Sequence, residues 1–567
     1  MVLETIQIPP QRPNLLYHAV ATPDTLQAHL RRVSKMEDRE KVAFTREIPD
    51  WALDQPARLD RILGGKAHLL LTPTEDKVLH AKAPWLVDGR AGSGKTMVLC
   101  SRFAGRDDPS VWPRGRQVFL SYSNKLVRMA NSWTEEIFIN LLPERRMFSG
   151  EFLTLYDFLL AHVPPSARGR FGEDRLVGFG AFKKWYNGYA KGRVETRKMP
   201  AETVWHGIRS TLKGSCEPPA RPFPDTGEDE FEKRFYAIAK KRRDLPPDDL
   251  ETIFGIGKKY QEQLVVGENR WDDQDLAWEA LNWIRKQKRE SSGFVGYDGI
   301  FCDEVQDLTR IEFLALAELC KEPVGDESLQ LFLAGDPLQT INPSGFNWQA
   351  VRSEVFKVQK GRAVEPVALG ENFRTDKRIL PLANLIDKIR FELTGQPGAS
   401  QVGFDQGGSV PLVIEEPVPR GNRLDAKSER ILAAIRTRLS KLGPESPVIV
   451  WPEDVDDVKA LKKGSETLKV VDDASLDTLS QAKGLEFDRV YLYGFGSSEE
   501  AARWKSHISV QSPKEHQERR LDEKTTIPFL YFLNRLYVAV TRARRFLVII
   551  DTKEGIDNLW RPLAQHG

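Results

Sequence analysis

Short apolar runs, several of them ending in a glycine-rich or acidic turn, alternate along the chain with longer stretches of helical periodicity. The runs lack the apolar–polar alternation of half-exposed strands, so they predict strands buried in parallel sheets covered by helices. They are Trp85–Val87, Gln117–Leu120, Gly299–Cys302, Leu329–Leu333, Val367–Leu369, Val448–Trp451, Val490–Tyr493 and Phe546–Ile550. The two groups separate near residues 355–365, which predicts an α/β fold of two doubly wound domains with a cleft between them.

Residues 161–290 differ from both groups. They combine helical periodicity with Pro- and Gly-rich loops and basic-aromatic clusters, which predicts a mostly helical insertion. The first domain is then predicted to comprise residues 71–160 and 291–360, and the second residues 361–567. Residues 1–70 carry no recognisable motif, and we expect an appendage of unknown role that is a candidate docking region for a protein partner.

Amino-acid composition excludes few classes of protein. The 567 residues include 83 basic and 81 acidic side chains, a net charge of +2, so a nucleic-acid partner would need a local basic stripe. The four cysteines are far apart and match no zinc or disulfide spacing. No apolar run reaches the ~18 residues of a membrane span, and the N-terminus does not open a signal peptide. We therefore expect a cytoplasmic protein with reduced cysteines and no membrane partner.

The strongest motif is Gly89-Arg90-Ala91-Gly92-Ser93-Gly94-Lys95-Thr96, a full match to G-x-x-x-x-G-K-[S/T] between a predicted strand and a predicted helix. Glycines allow the backbone to bring several N–H groups onto phosphate oxygens, and the helix N-terminus adds positive potential. Lys95 is expected to reach the β- and γ-phosphates, and the Thr96 hydroxyl to bind Mg²⁺. The motif predicts binding of a nucleoside triphosphate.

Two acidic turns follow later apolar strands. Asp303-Glu304 stands at the carboxyl end of a strand, where ligands bind in open α/β sheets. Asp303 is expected to hold the metal's water shell, and Glu304 to polarise the water that attacks the γ-phosphate. Gln339 ends the turn after the next strand and is placed to contact the γ-phosphate or that water.

Arg374 and Arg542 lie in the predicted second domain. Arginines that reach across a cleft stabilise charge on a transferring phosphoryl group, an effect of about 10³–10⁵ in rate. The order of all these motifs, rather than any one of them, indicates an ATPase site between two domains.

With these motifs in order, the chain resembles the UvrD/Rep group of superfamily 1 DNA helicases from about Leu71 to Ile550. The segments that carry the resemblance are Gly89–Thr96, Ser121-Tyr122-Ser123-Asn124-Lys125 (family T-F-T-N-K), Thr154–Phe158, Asp303–Asp307 (D-E-x-Q-D), Gly335–Gln339 (G-D-x-x-Q), Asn372-Phe373-Arg374 (N-Y-R), Thr478–Phe487 (T-x-H-x-A-K-G-L-E-F) and Tyr537–Ala543 (Y-V-A-x-T-R-A).

The resemblance implies two RecA-like P-loop NTPase domains that bind ATP and Mg²⁺ between them. The catalytic residues it implies are Lys95, Glu304, Gln339, Arg374 and Arg542. The nucleotide contacts it implies are Glu75, Gly89, Ala91, Gly92, Ser93, Gly94, Lys95, Thr96, Phe373, Arg374, Glu486 and Arg542. In this set Phe373 would stack on adenine and Glu486 would bond the ribose, while Thr96 and Asp303 would hold Mg²⁺.

The resemblance also implies a path for single-stranded nucleic acid, with DNA favoured over RNA and 3′-to-5′ movement. Its contacts would be made by Tyr122, Asn124, Trp348 and the position of Ser480. Aromatic rings there would stack on bases, at about 1–3 kcal/mol each. For Trp348, a core tryptophan is the alternative interpretation.

Three departures from the family pattern stand out. Glu75 occupies the position of the adenine-reading glutamine, and a carboxylate cannot donate to adenine N7, so strict selectivity for ATP is open. Ser480 replaces a histidine. The segment from Val448 to Thr478 leaves no room for the large helical subdomain that the family inserts there. The rival hypotheses are a nucleic-acid-stimulated ATPase that signals or recruits a partner, for example in antiphage defence, and an RNA helicase.

The insertion contains two further candidates for nucleic-acid binding. Phe182 to Lys198 interleaves basic and aromatic residues, as single-strand binders do, although a solvated amphipathic helix explains it equally well. Leu250–Leu264, with Gly255 and Gly257, resembles a helix-hairpin-helix whose glycine turn would offer N–H groups to phosphate.

Overall fold

The computed structural model describes residues 71–107, 115–141, 148–193, 199–217, 228–242, 244–290, 295–321, 329–341, 344–346, 348–358, 366–394, 400–415, 448–451, 475–508 and 523–566. The predicted appendage, residues 1–70, lies outside them. The described strands are β1 (Trp85–Gly89), β2 (Gln117–Ser121), β3 (Glu151–Thr154), β4 (Gly299–Cys302), β5 (Leu331–Gly335), β6 (Val367–Leu369), β7 (Glu371–Asn372), β8 (Val402–Gly403), β9 (Leu412–Glu415), β10 (Val448–Trp451), β11 (Ser475–Thr478), β12 (Phe487–Tyr493) and β13 (Ala543–Asp551).

The described α-helices surround these strands. They are α1 (Pro73–Leu79), α2 (Lys95–Phe103), α3 (Asn124–Leu141), α4 (Leu155–Ala161), α5 (Pro165–Arg168), α6 (Phe179–Ala190), α7 (Ala201–His206), α8 (Glu228–Arg242), α9 (Leu250–Tyr260), α10 (Asp273–Glu290), α11 (Arg310–Leu319), α12 (Trp348–Val358), α13 (Leu380–Thr394), α14 (Leu479–Ala482), α15 (Glu499–Ile508), α16 (Glu523–Val540), α17 (Lys553–Gly555) and α18 (Arg561–His566). Single 3₁₀ turns and three π-helical segments, Gly207–Lys213, Gln261–Val266 and Ile556–Trp560, complete the regular structure of the described residues.

The first lobe is built on a six-stranded sheet in the order β3-β2-β4-β5-β1-β6. Every described pairing in it is parallel. The sixth strand, β6, lies beyond the domain boundary predicted near residue 360, yet it pairs with β1 in this sheet. The three residues of β6 are too few for a period to show which sheet they join, so the pairing could not be read from the sequence.

Alternate residues of the first sheet enter two different cores. Leu86 and Val118 pack with the helices of the insertion, whereas Val87 and Phe119 pack against α2 and α3. This alternation follows from the two-residue period of a strand, and it explains the unbroken apolar runs of the sequence. Both faces of the sheet are therefore covered.

The insertion, α5 to α10, shares its core with the first sheet rather than forming a separate one. The predicted helix-hairpin-helix is wrong, because Gly255 and Gly257 lie inside the continuous helix α9. A Cβ at Gly257 would stand 2.5 Å from Cδ2 of Leu212. The glycine therefore allows two helices to approach closely and does not form a turn.

The second lobe is built on a five-stranded sheet in the order β11-β10-β12-β13-β9, with parallel pairing throughout the described register. Helices α13, α15 and α16 contribute its apolar core. Strands β10 and β11 are direct neighbours, and residues 452–474 connect them. The predicted α/β fold with parallel sheets and a mostly helical insertion is confirmed. Among the described residues, no helix is both long enough and apolar enough to cross a lipid bilayer.

The buried ammonium group of Lys213 joins several segments of the insertion. The Lys213 ammonium is fully buried and lies 2.6 Å from Oδ2 of Asp272, 2.8 Å from Oδ1 of Asp275 and 2.9 Å from Oε1 of Gln261. Although burial alone would lower the pKa of Lys213, the two carboxylates raise it above its usual value. The lysine is therefore charged at neutral pH.

We predict that Lys213→Met lowers the stability of the insertion by about 3–5 kcal/mol, because it leaves two buried carboxylates without their cation. Lys259→Met is the matched control, since Lys259 forms an exposed pair with Glu262 at 2.7 Å that is worth at most about 1 kcal/mol. Thermal unfolding of both variants measures the difference. Equal midpoints would show that Lys213 does not stabilise the fold.

Candidate nucleotide-binding site

The glycine-rich loop joins β1 to α2, as the motif predicts. Gly94 is the N-cap of α2 and has φ 81°, a left-handed conformation that glycine adopts without strain. The Lys95 ammonium donates to the Arg90 carbonyl at 3.0 Å, and the Ser93 N–H donates to the same oxygen at 3.2 Å. Both donors thus point across the loop, where phosphate oxygens would be held.

Thr96 and Asp303 meet at the edge of this loop. The Thr96 hydroxyl donates to Oδ2 of Asp303 at 2.5 Å, although the two residues are far apart in sequence. Hydroxyl and carboxylate oxygens are the hard donors that Mg²⁺ prefers, and Mg²⁺ commonly uses one carboxylate together with substrate phosphates. The pair fits the predicted magnesium site, where the ion would neutralise phosphate charge.

The two adjacent acids have opposite electrostatic environments. Burial, followed by the neighbouring Glu304 carboxylate, raises the pKa of Asp303. Burial acts on Glu304 too, but the ammonium groups of Lys483 and Lys95 outweigh it and lower the pKa of Glu304. Gln306 donates from Nε2 to Oε2 of Glu304. Glu304 is thus held as a carboxylate beside the loop lysine.

Gln306 also connects the acids to the next strand. Its Oε1 accepts from the backbone N–H of Asp336 at 2.9 Å, just after β5. A Cβ at Gly335 would stand 2.7 Å from that oxygen. The glycine is therefore required for the two predicted motifs to approach each other.

Arg542 of the second lobe reaches Gln339 of the first. Its Nη2 donates to Oε1 of Gln339 at 2.8 Å, and its Nη1 donates to the Leu485 carbonyl at 2.9 Å. The side chain is fully buried. Burial, reinforced by the Arg374 guanidinium, lowers the pKa of Arg542 to about 9, although the Glu304 carboxylate acts in the opposite direction. The predicted arginine thus lies within the electrostatic reach of the predicted base.

Arg374 and Phe373 follow β7 and lie against the loop from the other side. A Cβ added to Gly92 would stand 2.6 Å from Cβ of Arg374, and the Phe373 N–H donates to the Gly92 carbonyl at 2.9 Å. Arg374 Nε donates to Oε2 of Glu486 at 2.6 Å. The Phe373 ring stacks on Phe404, with centroids 5.0 Å apart and planes 9° apart. These neighbours could not be predicted from sequence, and the roles in adenine, ribose and γ-phosphate binding stay predictions.

Glu75 is engaged in a local structure at the start of α1. Its Oε2 accepts from the Thr72 N–H at 2.7 Å, and the Thr72 hydroxyl accepts from the Glu75 N–H at 3.1 Å. This reciprocal pair is a capping box, which the spacing Thr72-x-x-Glu75 would have revealed. Burial raises the pKa of Glu75 to about 7. The carboxyl group therefore already has donors that a role in adenine binding would compete with.

The four predicted nucleic-acid contacts have different surroundings. The Tyr122 hydroxyl lies 3.3 Å from Oε2 of Glu312, and Asn124 is exposed at the first turn of α3. Trp348 begins α12, is half-buried, and lies edge-to-face on Phe346 with centroids 4.9 Å apart. The side chain of Ser480 lies outside the described residues. The nucleic-acid path stays a prediction.

Several cross-cleft contacts were not foreseen. Lys483 pairs with Asp307 through a buried contact, and Asn534 Nδ2 donates to the Thr340 carbonyl at 3.1 Å. Lys483 lies within one of the matched motifs, so the sequence indicated that it belongs to the site. The sequence did not indicate that its partner is Asp307. The contact of Asn534 could not be predicted, because a polar residue on a helix gives no indication of which distant carbonyl it bonds.

These observations define the class of the site: a phosphate-binding loop, a paired acid and hydroxyl, and an arginine from a second parallel-sheet lobe around one cleft. Residues 455–554 match the family model of the UvrD-like helicase C-terminal domain. The resemblance to the UvrD-like helicases, predicted from the order of the motifs, is confirmed.

Two curated relatives align with the chain over longer stretches, and one of them is named as a probable DNA helicase. A probable DNA helicase of Mycoplasma pneumoniae (strain ATCC 29342 / M129 / Subtype 1) is 22% identical over 475 residues, which cover 81% of this chain and 79% of that protein. The human TPR and ankyrin repeat-containing protein 1 is 26% identical over 404 residues, 64% of this chain but only 12% of the human protein. The comparisons support a helicase in general.

We predict that Glu304→Gln abolishes ATP turnover but retains ATP binding, because the amide keeps the shape of the side chain and cannot act as a base. Lys95→Ala should lose both, since the ammonium is the cation expected on the phosphates. Steady-state hydrolysis and calorimetric titration with ATP separate the two variants. Full turnover by Glu304→Gln would contradict the assignment of the base.

We predict that Arg542→Ala lowers kcat for ATP by about 10³–10⁵-fold, the range of an arginine that stabilises phosphoryl charge. Arg545→Ala is the control, because Arg545 of β13 pairs with Asp488 of the neighbouring strand β12 at 3.6 Å and takes no part in the predicted site. Single-turnover hydrolysis is the measurement. Similar rates for the two variants would remove Arg542 from the catalytic set.

Proposed function

We propose that this protein is an ATP-dependent motor that translocates on single-stranded nucleic acid and couples hydrolysis to strand movement or unwinding. In this proposal Lys95, Glu304, Gln339, Arg374 and Arg542 act on the triphosphate. DNA is the preferred substrate and 3′-to-5′ the expected direction, both by resemblance to the family. The proposal extends the coarser result that the chain is similar to helicases.

The observation that carries the proposal is the contact between Arg542 and Gln339 at 2.8 Å, which joins the two lobes next to Glu304. An arginine from one lobe that senses the phosphate end of a nucleotide on the other gives hydrolysis a way to change the distance between lobes. Two lobes that alternately close and open can grip a strand in turn. A protein that only binds a nucleotide and does not hydrolyse it has no need of this arginine.

A second candidate is a nucleic-acid-stimulated ATPase that signals or recruits a partner with little unwinding. It is favoured by the direct pairing of β10 and β11 across the short connection of residues 452–474, where the family carries a large helical subdomain. Without that subdomain the contacts to duplex are fewer. An RNA helicase is the third alternative, since stacking on bases does not by itself distinguish RNA from DNA.

ATP hydrolysis measured with single-stranded DNA, single-stranded RNA of equal sequence, and duplex tests these alternatives together. The motor is supported if single strands stimulate hydrolysis and a 3′-tailed duplex is unwound, with Lys95→Ala as the inactive control. Strong stimulation without unwinding supports the second candidate. Preference for RNA supports the third, and the absence of any stimulation contradicts all three.

We predict that Trp348→Ala weakens binding to single-stranded DNA by about 1–3 kcal/mol and leaves basal ATP hydrolysis unchanged, because the lost ring is a predicted base-stacking contact and not one of the predicted phosphate contacts. Trp348→Phe should retain most of the affinity. Trp283→Ala, at a half-buried tryptophan of the insertion, is the matched control. Fluorescence anisotropy with a labelled oligonucleotide measures the affinities. An unchanged affinity for Trp348→Ala would show that the strand does not pass over Trp348.

A further inference from the structure

The backbone carbonyls of the phosphate-binding loop are held by the second lobe. Asn372 Nδ2 donates to the Ala91 carbonyl at 2.8 Å, and Gln401 Nε2 donates to the same oxygen at 3.0 Å. The next carbonyl, of Gly92, accepts from the Phe373 N–H at 2.9 Å. Asn372 and Gln401 border the separate parallel pair of β7 and β8, and Gln401 bonds Asn384 of α13 and Tyr537 of α16. Two successive peptide groups of the loop are therefore bonded to donors that are attached to the second lobe.

These bonds fix the direction of the loop's N–H groups. In a trans peptide the C=O and the following N–H point in opposite directions. With the Ala91 and Gly92 carbonyls turned toward the second lobe, the N–H groups of Gly92 and Ser93 turn away from it. The Ser93 N–H points across the loop at the Arg90 carbonyl, which also accepts from the Lys95 ammonium. This is the side on which phosphate oxygens would lie.

Each polar group of Gln401 has a hydrogen-bond partner. Its Oε1 accepts from the Tyr537 hydroxyl at 3.2 Å and lies 3.3 Å from Asn372 Nδ2. Its backbone N–H and C=O both pair with the amide of Asn384 at 2.9 Å. The side chain is 5% exposed. Since a carbonyl oxygen can only accept, the atom that faces Ala91 has to be the amide nitrogen.

The atoms around Gly92 and Asn372 leave little room for another conformation of the loop. Gly92 has φ 72°, and a Cβ there would stand 2.5 Å from Oδ1 of Asn372. The loop can therefore approach the second lobe this closely only with glycine at this position. Asn372 is locked as well, because its Oδ1 accepts the backbone N–H groups of Arg374 at 3.0 Å and Thr375 at 2.8 Å.

We infer that Gln401 is a positioning residue of the second lobe that orients the phosphate-binding loop of the first, so that phosphate affinity depends on closure of the cleft. This inference rests on the proposed function, because it assumes that the loop binds a nucleotide. By reciprocity, phosphate binding favours the closed arrangement to the same extent. The coupling runs through backbone carbonyls and is separate from the arginine contacts.

Gln401→Met tests the inference in the full chain, because methionine keeps the length of the side chain, adds no charge and donates no hydrogen bond. Calorimetric titration with ADP and, separately, with pyrophosphate, each with Mg²⁺, is the measurement. We expect both affinities to fall about three- to tenfold, the loss of one buried hydrogen bond. Asn534→Leu is the matched control, since it removes an amide-to-carbonyl bond across the cleft that does not touch the loop.

The outcomes separate this inference from the proposed function. Unchanged affinities in Gln401→Met overturn it while ADP binding by the unaltered chain still stands. Weaker ADP binding with unchanged pyrophosphate binding also overturns it, because the effect would then run through the adenine side near Phe373. Failure of the unaltered chain to bind either ligand overturns both proposals.

A second variant tests the inference in case Gln401→Met does not fold. Tyr537→Phe keeps the ring in the core and removes the hydroxyl that donates to Oε1 of Gln401 and also meets the backbone of Ala91. It should weaken pyrophosphate binding in the same direction, by about two- to threefold. No change in this variant, with Gln401→Met unfolded at the assay temperature, counts against the inference.

Discussion

Each peptide group that turns its N–H toward a phosphate turns its carbonyl the other way, and a buried carbonyl needs a donor. In this chain the donors for the Ala91 and Gly92 carbonyls come from the second lobe, and Ala91 itself lies in the apolar core of that lobe. The loop and the second lobe therefore fit together as one arrangement. In the same arrangement Arg542 donates to Gln339 at 2.8 Å.

The insertion contributes to the same arrangement from the opposite side. The buried Arg209 donates from Nε and Nη2 to the same oxygen, Oδ2 of Asp273, at 2.8 and 2.5 Å and thereby anchors α10 to the π-helical segment after α7. His206, at the end of α7, lies 3.2 Å from the Tyr531 hydroxyl of α16. Helix α16 ends two residues before Arg542, so one rigid element joins the insertion to the arginine of the cleft. Buried polar contacts of this kind specify position more than they add stability.

The sequence was informative where a single element carries the signal. Apolar runs predicted the strands, and the glycine-rich loop was recognised because its chemistry needs those residues at that spacing. It was uninformative where two distant segments meet. Nothing in a polar loop indicates that Gln401 reaches Ala91, and nothing in α16 indicates that Asn534 meets Thr340. The prediction of a turn in α9 was wrong because Gly257, which permits close packing against Leu212, looks in the sequence like a glycine that permits a turn. Glu75 shows the remaining case, in which a capping signal was present in the sequence and went unread.

The chemistry of the cleft explains how these contacts can be broken as well as made. The cross-cleft contacts described above are mainly hydrogen bonds to carbonyl and amide groups, together with the pair between Lys483 and Asp307. Water can satisfy each of these groups when the lobes part, whereas a broad apolar interface would resist parting. Each lobe has an apolar core, but the cores are not separate, because Ala91 and Leu338 of the first lobe lie in the core of the second and Ile527 of α16 lies in the core of the insertion. The hydrogen-bonded part of the cleft is therefore suited to repeated opening, whereas these apolar contacts favour the closed arrangement.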